Sequence, residues 1–154
     1  MIHDIDIVLS VVDAPLEEIR ASGLPVLTPN LDIANARLSF AGGCTVNLTA
    51  SRISLKDMRK IRVFQEGTYI SADCAARENV IATSVPVPGA APNVVPELLK
   101  HGETDNLREE LLSFIRAVKG EQPVEVTGQE GRDALAVAIE INEAIARQLE
   151  KNRQ

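Results

Sequence analysis

The stretch DIANARLSFAGGCTVNLTASRIS, residues 32–54, decides the fold of this chain. Apolar and polar residues alternate over residues 31–41 and again over residues 44–53, and Gly42-Gly43 separates the two runs. Such alternation is typical of a strand with one buried face, and a glycine pair between two such runs predicts a hairpin. The predicted apolar face carries Ala34, Ala36, Leu38, Phe40, Cys44, Val46, Leu48 and Ala50. The opposite, semi-polar face carries Asn35, Arg37, Ser39, Thr45, Asn47 and Thr49.

A second hairpin is predicted further along the chain. Residues 60–65 and 68–75 alternate in the same way, and Glu66-Gly67 lies between them. Residues 78–85 are expected to add an edge strand. The stretch from Pro86 to Pro96 contains four prolines, which cannot donate backbone hydrogen bonds, and it is predicted to be a loop.

Helices are predicted at both ends of the chain. Apolar residues at helical spacing indicate a helix over residues 3–13, and residues 16–22 follow as a short strand or an extended link. Another helix is predicted over residues 106–119, with Asn106 and Glu109 as a possible cap. The last helix starts at Thr127, where Thr-Gly-Gln-Glu has the spacing of a capping box. The predicted apolar stripes are Leu107, Leu111, Phe114, Ile115 and Val118, and then Leu135, Ala138, Ile139, Asn142, Ile145 and Leu149.

This order of elements predicts the fold class. A helix, a group of strands and two final helices favour an α+β fold, with a mostly antiparallel open sheet and helices packed on one face. The chain has 154 residues, which fits a single domain over residues 1–154. Both C-terminal helices are expected to pack on the apolar face of the sheet.

Composition argues against two classes of partner. The net charge is -6, and the chain contains three Phe, one Tyr and no Trp, so neither phosphate attraction nor base stacking favours nucleic-acid binding. No apolar run approaches the roughly 20 residues that a membrane span needs. The start of the chain is polar by its third residue, so no signal peptide is expected. These observations predict a cytoplasmic protein without a membrane partner.

Cysteine and glycine usage predicts neither a metal nor a bound nucleotide. Cys44 and Cys74 lie far apart and are expected to be buried, reduced thiols, because a zinc site needs more ligands at short spacing. Gly42-Gly43 lies in a predicted hairpin and not at the start of a helix, so no dinucleotide site is expected. A basic run of Lys56, Arg59, Lys60 and Arg62 is interpreted as a solvated turn.

The first candidate for catalysis is the pair His3 and Asp6. Residues three apart share one side of a helix. An imidazole with a pKa near neutrality can accept the proton of a hydroxyl, and a nearby carboxylate can orient the ring. The alternative is a surface histidine beside two acids, which suit the N-terminal end of a helix.

The second candidate site is the semi-polar face of the predicted sheet. Arg37, Asn47 and Arg52, with Asn35 and Thr49 beside them, offer a guanidinium, amide and hydroxyl set that can hold a sugar or its phosphate. The alternative is a face that water or a partner protein covers.

Four stretches carry a resemblance to a known family. They are MIHDIDIVLSVV at residues 1–12, DIANARLSFAGGCTVNLTASRIS at 32–54, MRKIRVFQEGTYISADC at 58–74 and PVEVTGQEGRDALAVAIEI at 123–141. Over nearly its whole length the chain resembles the C-terminal domain of the Gfo/Idh/MocA family, named for glucose-fructose oxidoreductase and inositol dehydrogenase. It looks most similar to members that act on nucleotide-linked amino sugars.

The resemblance implies a fold and an activity. Family members join an NAD(P)-binding Rossmann domain to a dihydrodipicolinate-reductase-like α+β domain, whose sheet carries substrate contacts and the oligomer interface. They oxidise a secondary sugar hydroxyl to a ketone or catalyse the reverse reaction. His3 matches the catalytic histidine of the family and Asp6 matches the last aspartate of the same pattern. The pattern's first aspartate, its Glu-Lys-Pro lysine and the cofactor fingerprint have no counterpart here.

We therefore expect a substrate-binding and oligomerisation domain of an NAD(P)-dependent oxidoreductase acting on a sugar or nucleotide sugar. The N-terminal Rossmann domain is absent from this chain, so the chain is expected to bind no cofactor and to be inactive alone. Its expected partners are that Rossmann domain and further copies of itself, bound through the sheet face. One alternative is a non-catalytic module for self-association or partner binding, and another is an enzyme that a separate Rossmann protein completes.

Overall fold

The computed structural model describes residues 1–55 and 58–152, and these form three helices and two antiparallel sheets. The predicted α+β class is confirmed. In chain order the elements are α1 (Ile2–Val11), β1 (Leu16–Leu24), β2 (Ile33–Phe40), β3 (Thr45–Ser51), β4 (Lys60–Gln65), β5 (Thr68–Asp73), β6 (Glu78–Val85), β7 (Asn93–Lys100), α2 (Asn106–Val118) and α3 (Gly128–Lys151).

The described chain divides into two compact units. The first unit consists of Met1–Ser54 and Ser113–Gln154, and it contains the sheet β1-β2-β3 with α1 and α3. The second unit is Leu55–Leu112, and it contains the sheet β4-β5-β6-β7. The boundary between the units falls within α2. The assignment of residues 1–154 to a single domain stays a prediction.

The first unit is built on the predicted glycine hairpin. β2 and β3 pair antiparallel, with Leu38 opposite Val46, and the connecting turn holds Gly42 and Gly43 at φ 80° and 89°. Residues with a Cβ are strained at such angles, which explains the glycine pair. The segment predicted as a short strand or a link is β1, and it pairs with β2 along its whole length.

One face of this sheet carries the core of the unit. Leu38 and Phe40 of β2 are buried with Ile5 of α1 and with four residues of α3. The predicted apolar face of the hairpin is therefore confirmed except at Cys44, which is exposed, and Ala36 and Leu48 are also buried. The buried residues of α3 are Ala134, Val137, Ile141 and Ile145.

The predicted buried face of α3 is partly wrong. Leu135 and Ile139 are each 49% exposed, whereas Ala134 and Val137 are buried. Apolar residues line two neighbouring sides of this helix, and spacing alone does not choose between them. In the fold, the side that carries Ala134, Val137 and Ile141 joins the core. Ile145, which both sides share, faces Gly23 of β1.

The prediction that α2 packs on the sheet is also wrong. All five residues of its predicted stripe are exposed. The helix itself forms as expected and ends at Val118. Just beyond it, the N–H of Gly120 donates to the Ala117 carbonyl and that of Glu121 donates to the Arg116 carbonyl. This is a Schellman motif. At the other end Asp105, rather than Asn106, caps the helix by accepting a hydrogen bond from the N–H of Arg108 at 3.1 Å.

The second unit contains the predicted second hairpin, which is confirmed, with Gly67 at φ 71° between β4 and β5. Two predictions about its other strands are wrong. β6 is not an edge strand, because β7 pairs with its outer side. The proline-rich stretch is not all loop, since Pro96 lies in β7 opposite Ala82. An edge strand tolerates proline because one side of it has no ladder partner to which an N–H must donate.

Both cysteines are free, but the prediction that they are buried is wrong. Cys44 follows the glycine turn of the first hairpin, and Cys74 comes directly after β5, so each thiol lies at the exposed end of a strand. In the basic run, Lys56 lies outside the described residues, whereas Lys60 and Arg62 belong to β4.

A buried carboxylate organises the loop before β2. Asp32 accepts hydrogen bonds from the N–H groups of Val26, Leu27 and Thr28 at 2.7 to 2.9 Å and from the Thr28 hydroxyl at 2.7 Å. The Thr28 hydroxyl and then the three N–H groups hold the pKa of this carboxyl well below its usual range. Asp32 thus replaces water as the partner of three consecutive backbone donors.

The contact between β1 and α3 leads to a first prediction. A Cβ added to Gly23 would lie 3.0 Å from Ile145 Cγ2 and 3.1 Å from the Ile33 carbonyl oxygen. Gly23→Ala should therefore lower the free energy of unfolding by about 1–3 kcal/mol, the usual effect of overpacking a core. Gly102→Ala is the matched control, because nothing lies within 4 Å of the added Cβ. Urea unfolding of both variants measures the difference, and equal stabilities would contradict the close packing.

The Asp32 loop leads to a second prediction, on pH dependence. A carboxyl whose pKa is lowered by folding stabilises the fold above its unfolded pKa of about 3.9, and this contribution is lost as the pH falls below about 4. Asp32→Asn should therefore lower the Tm at pH 7, and the difference from wild type should shrink below pH 4. Asp13→Asn is the control, since Asp13 is exposed. A difference in Tm that does not change with pH would show that the Asp32 charge is unimportant.

Candidate functional site

Helix α1 positions the first candidate pair. Ile5 is fully buried and fixes the helix against the core, which leaves His3 exposed and Asp6 half-buried. The two residues lie three apart, so their side chains emerge from the same side of the helix. Among the hydrogen bonds of residues 1–55 and 58–152, none joins His3 to Asp6. The imidazole is accessible to a ligand, and a carboxylate lies one helical turn away.

The open face of the first sheet positions the second candidate set. Arg37 of β2 lies opposite Asn47 of β3, as the hairpin predicts. In the next outward-facing pair of residues on these strands, the Thr49 hydroxyl donates to the side-chain oxygen of Asn35 at 2.9 Å. These residues line a shallow depression of about 320 Å³. The structure therefore brings Arg37 and Asn47 together.

Arg52 is separated from that depression. It follows the last residue of β3, Ser51, which pairs with Ile33 at the end of the sheet. Its backbone N–H donates to the Asp32 carbonyl at 2.8 Å. The side chain of Arg52 is exposed and does not line the depression around Arg37.

The open face has an uneven distribution of charge. Arg20 of β1 lies opposite Arg37, so two guanidinium groups are neighbours across the strands. The carboxylate of Glu18 accepts a hydrogen bond from Arg20 at 2.8 Å, and this bond raises the pKa of Arg20. Arg37 has no hydrogen-bond or ion-pair partner within the part of the chain that the structure describes. Because adjacent like charges repel, this face favours an anionic group beside Arg37.

Arg20 is a residue of this face that the sequence prediction missed. Residues 16–22 contain a regular alternation in which Glu18, Arg20 and Ser22 face one way while Ile19 and Ala21 face the other. That pattern is the signal of a strand with one buried face, and it would have placed Arg20 beside Arg37.

The two candidate sets lie on opposite faces of one sheet. Leu38 and Phe40 point toward α1 and α3, because both belong to the core with Ile5. Successive side chains of a strand point to opposite faces, so Arg37 points away from α1. His3 and Arg37 of one copy therefore cannot contact the same small sugar.

The described side chains were predicted to hold neither a metal nor a dinucleotide, and two observations bear on that prediction. In residues 1–55 and 58–152, no group of three or more His, Cys, Asp or Glu side chains could hold a metal ion. Gly42 and Gly43 lie in a hairpin turn, where no helix N-terminus faces a ligand. Within the same ranges, no helix is both long and apolar enough to cross a membrane.

Known proteins of similar sequence and structure place this fold. UDP-N-acetylglucosamine 3-dehydrogenase from Acidithiobacillus ferrooxidans is 32% identical over 147 residues, which are 94% of this chain and 47% of that enzyme. A solved structure of that enzyme superposes with a TM-score of 0.84 over the same shares, at 32% identity. The WlbA dehydrogenase from Bordetella pertussis, solved with NADH and UDP-GlcNAcA, has a TM-score of 0.65 at 18% identity, covering 96% of this chain and 41% of that one. No protein-family model matches the chain.

The fold and these relatives define a class of protein. The chain has the fold of the C-terminal domain of Gfo/Idh/MocA oxidoreductases, as the sequence predicted. Within that class it is a homologue of UDP-N-acetylglucosamine 3-dehydrogenase. It spans about half the length of this curated relative, 47% of its residues.

Proposed function

We propose that this chain is the substrate-binding and oligomerisation domain of a cytoplasmic, NAD(P)-dependent oxidoreductase that acts on a secondary hydroxyl of a nucleotide sugar. The observation that carries the proposal is the exposed imidazole of His3 on α1, one turn from Asp6. It is supported by similarity over 94% of the chain to an enzyme that is named as a UDP-N-acetylglucosamine 3-dehydrogenase.

The proposed chemistry assigns a proton transfer to His3. A ring nitrogen of neutral His3 accepts the hydroxyl proton as hydride leaves the same carbon. Asp6 stabilises the imidazolium that forms, because an opposite charge one turn away favours the charged ring. In the reverse reaction the imidazolium returns the proton to the carbonyl oxygen.

The hydride acceptor belongs to the other half of the proposed full-length protein. The described residues of this chain lack the glycine-rich turn at a helix start that holds a dinucleotide. In this proposal the NAD(P) of the parent enzyme binds outside this chain. The contribution of the present chain is to hold the sugar and to move its proton.

The open face of the first sheet serves a different contact from the proton transfer. We propose that it binds a second copy, because it is flat, semi-polar and free of the dense lysine and glutamate cover of most exposed sheets. The uncompensated charge of Arg37 supports a contact with an anionic group on the facing surface. The assignment of Arg37, Asn47 and Arg52 to substrate binding stays a prediction, and the same variants test it.

A non-catalytic module is the alternative function. The open sheet face favours it, because such a module needs that face but no chemistry at His3. Thermal-shift measurements with nucleotide sugars separate the two proposals, since only a substrate-binding domain gains stability from the ligand.

The catalytic role of His3 leads to a third prediction. In the full-length protein, His3→Ala should lower kcat roughly 100- to 10,000-fold, as loss of a general base does. The KM for the nucleotide sugar should change much less, because proton transfer contributes to the transition state rather than to binding. Steady-state kinetics across pH measures both constants.

His101→Ala is the control for this experiment. His101 is the other histidine of the chain, and its exposed ring contacts the Asn79 side chain at 2.9 Å in the second unit. Its removal should leave kcat within about threefold of wild type. A His3→Ala enzyme that keeps more than a third of wild-type turnover would exclude His3 as the base.

The proposed assembly leads to a fourth prediction. Wild type should have about twice the monomer mass by light scattering, since a two-fold pair is the commonest closed assembly. Arg37→Glu with Thr49→Glu should raise the dimer dissociation constant at least about tenfold, through repulsion between acids on the facing copies. Arg116→Glu on α2 is the control and should leave the mass unchanged.

Each outcome of the assembly experiment has a different meaning. A wild type that is monomeric at all concentrations would contradict self-association. A double variant that stays dimeric, but has a raised KM for the nucleotide sugar, would instead support substrate binding at Arg37.

A further inference from the structure

Five apolar side chains form a continuous, uncovered stripe along α2. Their exposed fractions range from 46% to 71%. They lie at spacings of four, three, one and three residues, which place them on one side of a helix. We call this surface the α2 stripe, and it consists of Leu107, Leu111, Phe114, Ile115 and Val118. The opposite side of the helix carries Glu109 and Arg116.

The helix that presents the α2 stripe is fixed at both ends. Asp105 caps its start, and the Schellman motif at Gly120 closes its end. Beyond that motif the Gln122 side chain donates to the Ser113 hydroxyl at 2.7 Å and to the Ser113 carbonyl at 3.3 Å. A surface that is already ordered loses little entropy when a partner covers it, which favours binding.

The size of the α2 stripe indicates what kind of partner covers it. With roughly 150–250 Å² for each large side chain, its exposed area is on the order of 600 Å². Both sides of the contact would then bury about 1,200 Å². This area is typical of an interface between two domains of one chain, about 600–1,500 Å². It is at the lower limit for separate proteins, which bury about 1,200–2,000 Å².

We propose that the α2 stripe docks on the cofactor-binding half of the full-length protein. The inference rests on the proposed function, in which that half precedes this chain. The similar dehydrogenase has more than half of its length outside the match, because this chain covers 47% of it. A covalent tether raises the effective concentration of a partner, so a contact of this size suffices within one chain.

A full-length double variant tests the proposal. Leu111→Glu with Phe114→Glu places two charges in the α2 stripe, and Arg116→Glu places the same side chain on the opposite side of α2. The stripe variant should be cut by protease between the two halves at least about tenfold faster than wild type, which corresponds to ~1.4 kcal/mol of lost docking. Its radius of gyration in small-angle scattering should increase. The Arg116 variant should behave as wild type in both measurements.

Two further measurements distinguish lost docking from misfolding and from lost self-association. In the isolated chain, the stripe variant should keep the wild-type Tm, because the substituted side chains are already exposed. If its Tm falls, the single variant Leu111→Gln is used in the same experiments in its place. A stripe variant that dissociates into monomers but keeps its protease resistance would overturn the proposal in favour of a second copy. An unchanged cleavage rate with an unchanged radius of gyration would also overturn it. The cleavage rate and the radius of gyration do not depend on turnover. A His3→Ala enzyme that stays active would therefore contradict the proposed chemistry without contradicting the proposed docking.

Discussion

The packing of α1 and α3 on one face of β1-β2-β3 is the constraint on which the rest of the first unit depends. Ile5, Leu38, Phe40, Ile141 and Ile145 are almost completely buried at this contact. Burial of a large aliphatic or aromatic side chain contributes about 1.5–3 kcal/mol, so these residues dominate the stability of the unit. The same contact also positions the candidate site, because Ile5 orients α1 and leaves His3 exposed on its outer side.

Covering one face of a sheet leaves the other face open, and this separates the candidate residues. The alternation that sends Leu38 into the core sends Arg37 and Asn47 outward. The exposed His3 on α1 and the arginine pair on the open face are thus consequences of the same packing. The sheet lies between the two sets, so within one copy they face different surfaces. In the proposed function, the proton transfer and the contact between copies therefore use different sides of the same sheet.

Much of this fold is predictable because its signals are local. The two hairpins follow from period-two alternation around Gly42-Gly43 and Gly67, and the start of α3 follows from its capping box, which the structure contains. The features that sequence reasoning missed depend on tertiary contacts. α3 has two apolar sides, and packing in the core buries only the side that carries Ala134, Val137 and Ile141. Pro96 is permitted in β7 only because β7 lies at an edge, and pattern alone does not reveal strand order.

The candidate site was predictable to a different degree. Residue type and spacing give His3, Asp6, Arg37 and Asn47 as candidates, and their roles stay predictions. Spacing along the chain does not say which face of a sheet a helix covers. The exposed stripe of α2 was likewise not predictable from spacing. An amphipathic pattern predicts that a surface is covered, not which surface covers it. α2 was expected to pack on the sheet, and α1 and α3 form the described core instead. The apolar side of α2 is therefore exposed among the described residues, and the proposed docking on a cofactor-binding half would cover it.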